Sequence, residues 1–390
     1  MREFERPLAV FYFTYFVSAG AFFPFLSLFL EDRGLGPAAI GELLAITTVA
    51  KLIAPYLWGA WADARGERLT VVRFACIAAT VAFVSMYWAS GFWALAIVML
   101  VYSFFWNACL PQVEALTLET LRQDTARYTR IRIWGSIGFI ISVVGVGWWL
   151  ERAPVAWLPL GVGAIMVMVS IVTWWLREAP STDDRTMSGG SLKAVLFSPT
   201  VLVVFIACFL MQASHGAYYG FFALYLTEAD YGEGWIGILW AIGVIAEVIV
   251  FWSMPQLLRR IGRAWLFVGC FALTTLRWCL LGWFVDSVPI VFFAQVLHAA
   301  SYGVHHAVAI LFVHRAFAGN LRGRGQALYS SLTYGAGTAA GTLASGYIWE
   351  AAGSHHAFTA AAIMSGLGFV LAWLLSAGSG HRWLLTSDGP

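Results

Sequence analysis

Apolar runs long enough to cross a bilayer recur along the whole chain, parted by short polar breaks. They lie at about residues 7–30, 38–62, 69–90, 92–119, 131–150, 155–177, 199–226, 234–258, 264–285, 288–315, 324–349 and 355–379, on a span of ~20 residues each. In lipid every backbone N–H and C=O must be bonded within its own segment or a closed barrel, so runs of this length read as helices. The expected fold class is therefore all-α integral membrane, with 12 transmembrane helices. Composition agrees, since 60% of the 390 residues are hydrophobic and 11% charged. Soluble domains carry about 25% charged residues, and a soluble core of this length cannot hide so much apolar surface.

One polar break is long. "REAPSTDDRTMSGGSLKAVLFSP", residues 177–199, is charged, Ser/Gly-rich and central, as a linker is. It divides the chain into residues 1–177, a cytoplasmic linker 178–198 and residues 199–390, two pseudo-symmetric six-helix bundles. Of 23 Lys and Arg, all but Arg33, Arg152, Lys51 and Arg277 lie at or within a few residues of the N-terminus, the C-terminus or the even-to-odd breaks. The positive-inside rule then puts both termini in the cytoplasm. No cleavable signal peptide is evident, and the first run reads as a retained helix. An internal repeat supports the division. Gly66 and Gly262 hold the same place in "GAWADARGERL" and "PQLLRRIGRAW". The fifth and eleventh runs carry small-residue stripes, Gly135/Gly138/Gly145 and Gly337/Gly341/Ser345, that let helices approach closely. Simple dimer packing would use such stripes too, but their matched positions favour contacts between halves of one bundle.

"GAWADARGER" (59–68) resembles the loop signature of the major facilitator superfamily. Gly59, Asp63, Gly66 and Arg68 match it, whereas Ala64 and Glu67 stand where basic residues are usual. "YFTYFVSAGAFFPFLSLFL" (12–30), "RIRIWGSIGF" (130–139), "QASHGAYYGFFALY" (212–225) and "VLHAASYGVHHA" (296–307) are similar to the phenylpropionate permease group, and through it to lactose permease-type proton symporters. The resemblance implies the major facilitator fold, a bacterial inner-membrane location, a monomer working by alternating access and a loop at 59–68 that latches one state. It implies that Glu114 and Arg132, 18 residues apart, bind substrate. It also implies that Arg277 and His298 belong to a proton-coupling network. The proton-carrying Glu expected one turn past that His is absent; Ser301 replaces it.

Ionisable groups inside spans are functional hypotheses, each needing a partner. Lys51, Glu114, Arg132, Glu247 and Arg277 comprise three cations and two carboxylates. The surplus positive charge suits an anionic substrate. Lys51, in "TTVAKLIAP", is too deep to snorkel easily. It reads as a point charge for a carboxylate, or as a structural partner that fixes Glu114. Glu247, alone in "WAIGVIAEVIVFWSM", reads as a carboxylate that takes a proton from one side and releases it to the other. The plainer reading is a permanent Glu247–Arg277 ion pair. His298, Tyr302, His305 and Ala309 share a helical face, and a lone intramembrane His is as easily structural as a proton carrier. Gln212, His215, Tyr219 and Phe222 form a stripe able to embrace an aromatic ring, or merely to pack. Asn107 sits two turns before Glu114. Tyr15 and Phe22, at i and i+7, are weaker candidates for the same cavity.

Five cysteines inside apolar runs lack metal-ligand spacing. No metal site, no cofactor, no phosphate-cradling loop and no nucleic-acid surface is expected. The partners expected are a small-molecule substrate, protons and the lipid bilayer. Proton-coupled import of a small aromatic carboxylate such as 3-phenylpropionate is the expectation. Symport of a neutral sugar or nucleoside, efflux of amphipathic compounds, a non-transporting membrane receptor and an intramembrane enzyme are its rivals.

Overall fold

The computed structural model describes residues 5–65, 67–121, 124–177 and 195–377. Among these every element is helical, and eleven helical segments are long and apolar enough to cross a membrane. The first six rods are α1 (Glu5–Asp32), α2 (Pro37–Arg65), α3 (Arg68–Ser85), α4 (Phe92–Thr120), α5 (Thr125–Leu150) and α6 (Val155–Trp175). The next four are α7 (Pro199–Glu228), α8 (Glu233–Arg260), α9 (Arg263–Trp283) and α10 (Val288–Ala316). Then comes α11 (322–352), a twelfth rod made of two α-helical stretches around a π-helical Ser331–Gly337. The last is α12 (Ser354–Ala377).

Local chemistry sets the starts and stops. Asp124 caps α5 by accepting from the Arg127 N–H at 3.0 Å, and Ser198 caps α7 before a proline at its first position. Gly262 turns the chain between α8 and α9 with φ +80°, a left-handed conformation costly to any residue with a Cβ. Its counterpart Gly66 lies outside the described residues. Exposed Trp88 and Trp93 flank the α3–α4 turn, and Trp148 and Trp157 the α5–α6 turn. Interfacial tryptophans sit at such helix ends.

The chain forms two compact units. One comprises Met1–Asp184 with Leu226–Ala241, the other Arg185–Tyr225 with Ile242–Pro390. The partition departs from two consecutive halves in one segment, because Leu226–Ala241 packs with the first unit. Small residues explain this: a Cβ on Gly237 would strike the Val143 carbonyl, and one on Gly234 would lie 2.5 Å from the Glu151 carboxylate.

Within each unit the small-residue stripes seat one helix on another. Gly138 lies against the Phe13 carbonyl and Gly135 against the Phe16 ring, so the first stripe seats α5 on α1. Gly337 lies against Phe209 and Gly341 against Ala213, so the second seats α11 on α7. Gly145 meets nothing.

Candidate functional site

The second unit holds a buried polar cluster centred on Arg277 of α9, which is fully buried. Among the described residues no carboxylate lies within ion-pair distance of it. Neutral acceptors solvate the guanidinium instead. Its Nε donates to the Ala294 carbonyl at 3.0 Å, and one terminal nitrogen donates to both His298 Nδ1 and Ser301 Oγ at 3.0 Å. The other donates to Gln295 Oε1 at 3.3 Å. The Tyr218 and Trp278 rings lie 4.3 and 4.4 Å from the guanidinium carbon, where each ring face attracts the cation.

This geometry assigns the tautomer of His298. A guanidinium can only donate, so Nδ1 accepts and the ring proton sits on Nε2. That nitrogen faces the Glu247 carboxylate of α8 at 3.8 Å. The permanent Glu247–Arg277 pair is therefore absent, and the two charges meet through the imidazole. Two glycines let α8 and α10 come this close. A Cβ on Gly243 would lie 3.3 Å from the His298 ring, and one on Gly303 would lie 2.5 Å from Val250 and 3.5 Å from Glu247. Glu247 keeps 21% of its side chain accessible, against 5% for His298. The cluster thus runs from an accessible carboxylate to a buried cation.

The expected face His298/Tyr302/His305/Ala309 is resolved differently. Ala299–Val304 is π-helical, and the wider turn shifts the register beyond it. The stacked line is His298–Tyr302–His306, with centroids 5.7 and 5.8 Å apart. His305 instead packs against Phe267 and Phe271 of α9. His306 Nδ1 meets Tyr334 Oη of α11 at 2.7 Å.

The α7 stripe is split as well. Gln212, His215 and Phe222 are buried, and only Tyr219 retains accessible surface. His215 donates through Nδ1 to the Met211 carbonyl at 2.8 Å, which leaves Nε2 to accept from Ser301 Oγ at 3.3 Å. It braces the Arg277 cluster and offers no open edge to a ligand.

The first unit presents charges in the open. Arg132 Nε and Glu114 Oε1 lie 3.8 Å apart, with 32% and 36% of their side chains accessible. Tyr128 Oη donates to Glu114 at 3.5 Å. The guanidinium lies 4.1 Å above the Phe16 ring. A Cβ on Gly135 would come within 2.7 Å of that ring and 2.9 Å of the guanidinium, so only glycine leaves room for the stack.

Lys51 of α2 is not Glu114's partner. Its Nζ lies 5.3 Å above the Phe23 ring, and no carboxylate is within ion-pair distance among the described residues. It is nevertheless exposed. Val49, Ile53, Tyr56 and Leu57 form the exposed apolar stripe of α2, and Lys51 sits about 120–160° around the helix from them at 100° per residue. Its exposure therefore lies off that apolar stripe.

Asn107 is tied to its own helix, donating to the Ser103 carbonyl at 2.6 Å and to Ser103 Oγ at 2.9 Å. Tyr15 is buried and stacks on Trp106 at 4.4 Å, while Phe22 packs on Phe83 at 4.6 Å. In the loop signature, Gly59 and Asp63 end α2 and Arg68 opens α3, pairing with Glu119 at 3.1 Å. Sequence reasoning missed Gln295 and Ser301 as acceptors for Arg277, and Phe16 and Phe23 as seats for cations. Gln295 stands one turn before His298 and was findable from the need of any buried Arg for acceptors.

A family model described as MFS_1 like family matches residues 6–360. A protein of Escherichia coli (strain K12) named "Probable 3-phenylpropionic acid transporter" is 30% identical over 365 residues, covering 92% of this chain and 95% of that protein. A maltose permease of Geobacillus stearothermophilus is 26% identical, covering 87% of this chain and 86% of its own. The crystal structure of the nucleoside transporter NupG superposes with a TM-score of 0.81 at 19% identity, covering 100% of both chains.

Proposed function

Because the chain belongs to the MFS_1 like family, and is thus a multi-pass transporter of the major facilitator fold and not an enzyme, we propose that it imports a small aromatic carboxylate in symport with protons. Lys51 carries this reading. It is a deep, accessible cation with no carboxylate partner among the described residues, and a substrate carboxylate would supply one. The 30% identity to a protein named for 3-phenylpropionic acid supports the same class. Arg132, the other cation of the first unit's candidate site, already has Glu114 beside it. The surplus charge of that unit's site therefore rests on Lys51.

The second unit would carry the proton. Glu247 takes it, and His298, held by Arg277, presents an N–H to the carboxylate when Glu247 is charged. The positive-inside distribution of Lys and Arg supports cytoplasmic termini for this reading.

The test is uptake into proteoliposomes with an inward proton gradient, measured beside protein-free liposomes because the neutral acid crosses lipid unaided. Protonophore-sensitive accumulation of 3-phenylpropionate above that control is expected. Lys51→Met should weaken carboxylate binding by about 10- to 100-fold, the worth of one charge-assisted contact, and barely alter binding of a neutral analogue. Equal losses for both would remove Lys51 from the site.

A second reading rests on the Glu114–Arg132–Tyr128 group, which offers donors and an acceptor at no net charge, as a neutral sugar or nucleoside requires. Accumulation of maltose or uridine, with none of the acid, would select it.

A further inference from the structure

The first unit rests two cations on one helix. Arg132 lies over Phe16 and Lys51 over Phe23. The two rings are seven residues apart on α1, about 10 Å at 1.5 Å per residue, with Phe23 opening a 3-10 turn, Phe23–Phe25. The seats differ in charge. At the Phe16 seat, Glu114 lies 3.8 Å from Arg132, and Tyr128 Oη reaches the same carboxylate at 3.5 Å. That end is neutral overall but rich in directional groups, with a carboxylate to accept and a guanidinium to donate. At the Phe23 seat Lys51 has a ring and no anion.

A ligand matching both ends carries one negative charge at one end and an uncharged hydroxyl at the other. Each seat is itself an aromatic ring, with the small Ala19 and Gly20 between them on α1. A second carboxylate at the Phe16 seat would face Glu114, and like charges there are unfavourable. An aryl ring with a two- or three-carbon acid chain and a ring hydroxyl opposite that chain spans a comparable length.

From this juxtaposition we infer that the preferred substrate is a hydroxyaryl alkanoate, with its carboxylate on Lys51 and its phenolic hydroxyl between Glu114 and Arg132. The inference rests on the proposed carboxylate transport and narrows it. Glu114 becomes the specificity determinant that separates a hydroxylated acid from its plain analogue. The phenol donates to Glu114 Oε1 and accepts from Arg132, replacing the long contact between them.

The test is competition for the purified full-length protein, with tritiated 3-phenylpropionate displaced by 3-phenylpropionate or by 3-(4-hydroxyphenyl)propionate. The hydroxy acid should bind about tenfold more tightly, the worth of one hydrogen bond to a charged group. That ratio should fall below about threefold in Glu114→Leu and persist in Lys51→Met, whatever the absolute affinities. If Glu114→Leu does not fold, Tyr128→Phe should still narrow the ratio by about threefold. Equal affinity of the two acids for the unaltered protein overturns the inference and leaves the carboxylate reading standing. A ratio that survives Glu114→Leu, or for lack of that variant Tyr128→Phe, also overturns it. Should neither acid bind, the carboxylate reading falls and this inference with it.

Discussion

The two units treat buried charge in opposite ways. In the first, Lys51 is exposed, Arg132 and Glu114 keep 32% and 36% of their side chains accessible, and the one ion pair among them is long at 3.8 Å. The cations rest on phenylalanine rings, which hold them loosely and release them to a better partner. In the second, Arg277 is fully enclosed and satisfied by four hydrogen bonds to neutral acceptors. A charge held that way does not exchange partners readily, because every lost bond leaves a buried donor unsatisfied. The difference suits two tasks. An open cluster can trade one ligand for another, and a closed one with a single accessible carboxylate can trade only a proton.

The largest expected effect comes from removing that carboxylate's charge. Each unit of pH gradient is worth about 1.4 kcal/mol per coupled proton, a tenfold concentration ratio. Glu247→Gln should collapse the gradient-driven ratio of substrate from about ten to about one per pH unit, while exchange of labelled for unlabelled substrate continues. Loss of exchange as well would mean that Glu247 holds substrate, and the division of tasks between the units would fail. The amide still fits against His298, so a folding defect is not the expected cause.

Packing gives the next effect, and here the units should behave alike. Gly341 lies in contact with the Ala213 backbone and Gly138 with the Phe13 carbonyl. Alanine at either place drives a Cβ into backbone that cannot rotate away, a cost of about 1–3 kcal/mol. Both variants should lower the thermal midpoint in detergent, whereas Gly145→Ala, which meets nothing within 4 Å, should not. A neutral Gly138→Ala beside a damaging Gly341→Ala would show that the α1–α5 and α7–α11 pairings are not equivalent.

Much of the fold was legible because lipid imposes one rule on every span, so length and apolarity alone located the twelve rods. The stripe Gly135/Gly138 was legible as a close contact, but its partner was not. A small residue says that something comes near without saying what. The site was legible in proportion to how unusual each residue is in a membrane. Lys51, Glu247 and Arg277 stand out by charge. Phe16 and Phe23 do not, since 29 phenylalanines share the chain. The α10 face was legible as far as His298 and Tyr302, which stack, but 3.6 residues per turn extrapolated through the π-helical Ala299–Val304 could not decide whether His305 or His306 came next. The α7 stripe failed because helical periodicity tells which residues share a face and not whether that face is covered.

The smallest effects should separate the units most cleanly, because they shift geometry without deleting a group. Gly135 sits beside Arg132 and Gly243 beside His298, the side chains to which the two proposed tasks are assigned. A methyl at Gly135 would stand 2.7 Å from the Phe16 ring and 2.9 Å from the Arg132 guanidinium, while one at Gly243 would stand 3.3 Å from the His298 ring. Arg132 is long and partly exposed, so it can move aside, but it then leaves its seat and its approach to Glu114. His298 is enclosed and fixed through Nδ1 by Arg277, so it can yield only a few tenths of an ångström, toward or away from Glu247. Gly135→Ala is thus expected to change substrate affinity by about three- to tenfold and leave the substrate-to-proton ratio intact. Gly243→Ala is expected to leave affinity intact and alter the initial rate of proton-driven uptake by about two- to fivefold, in a direction set by which way the imidazole yields. Measured side by side, binding by displacement and uptake by initial rate, the two variants should fail in different columns. If both change affinity alone, the second unit's cluster contacts substrate, and the contrast between an open ligand site and a closed proton site does not hold.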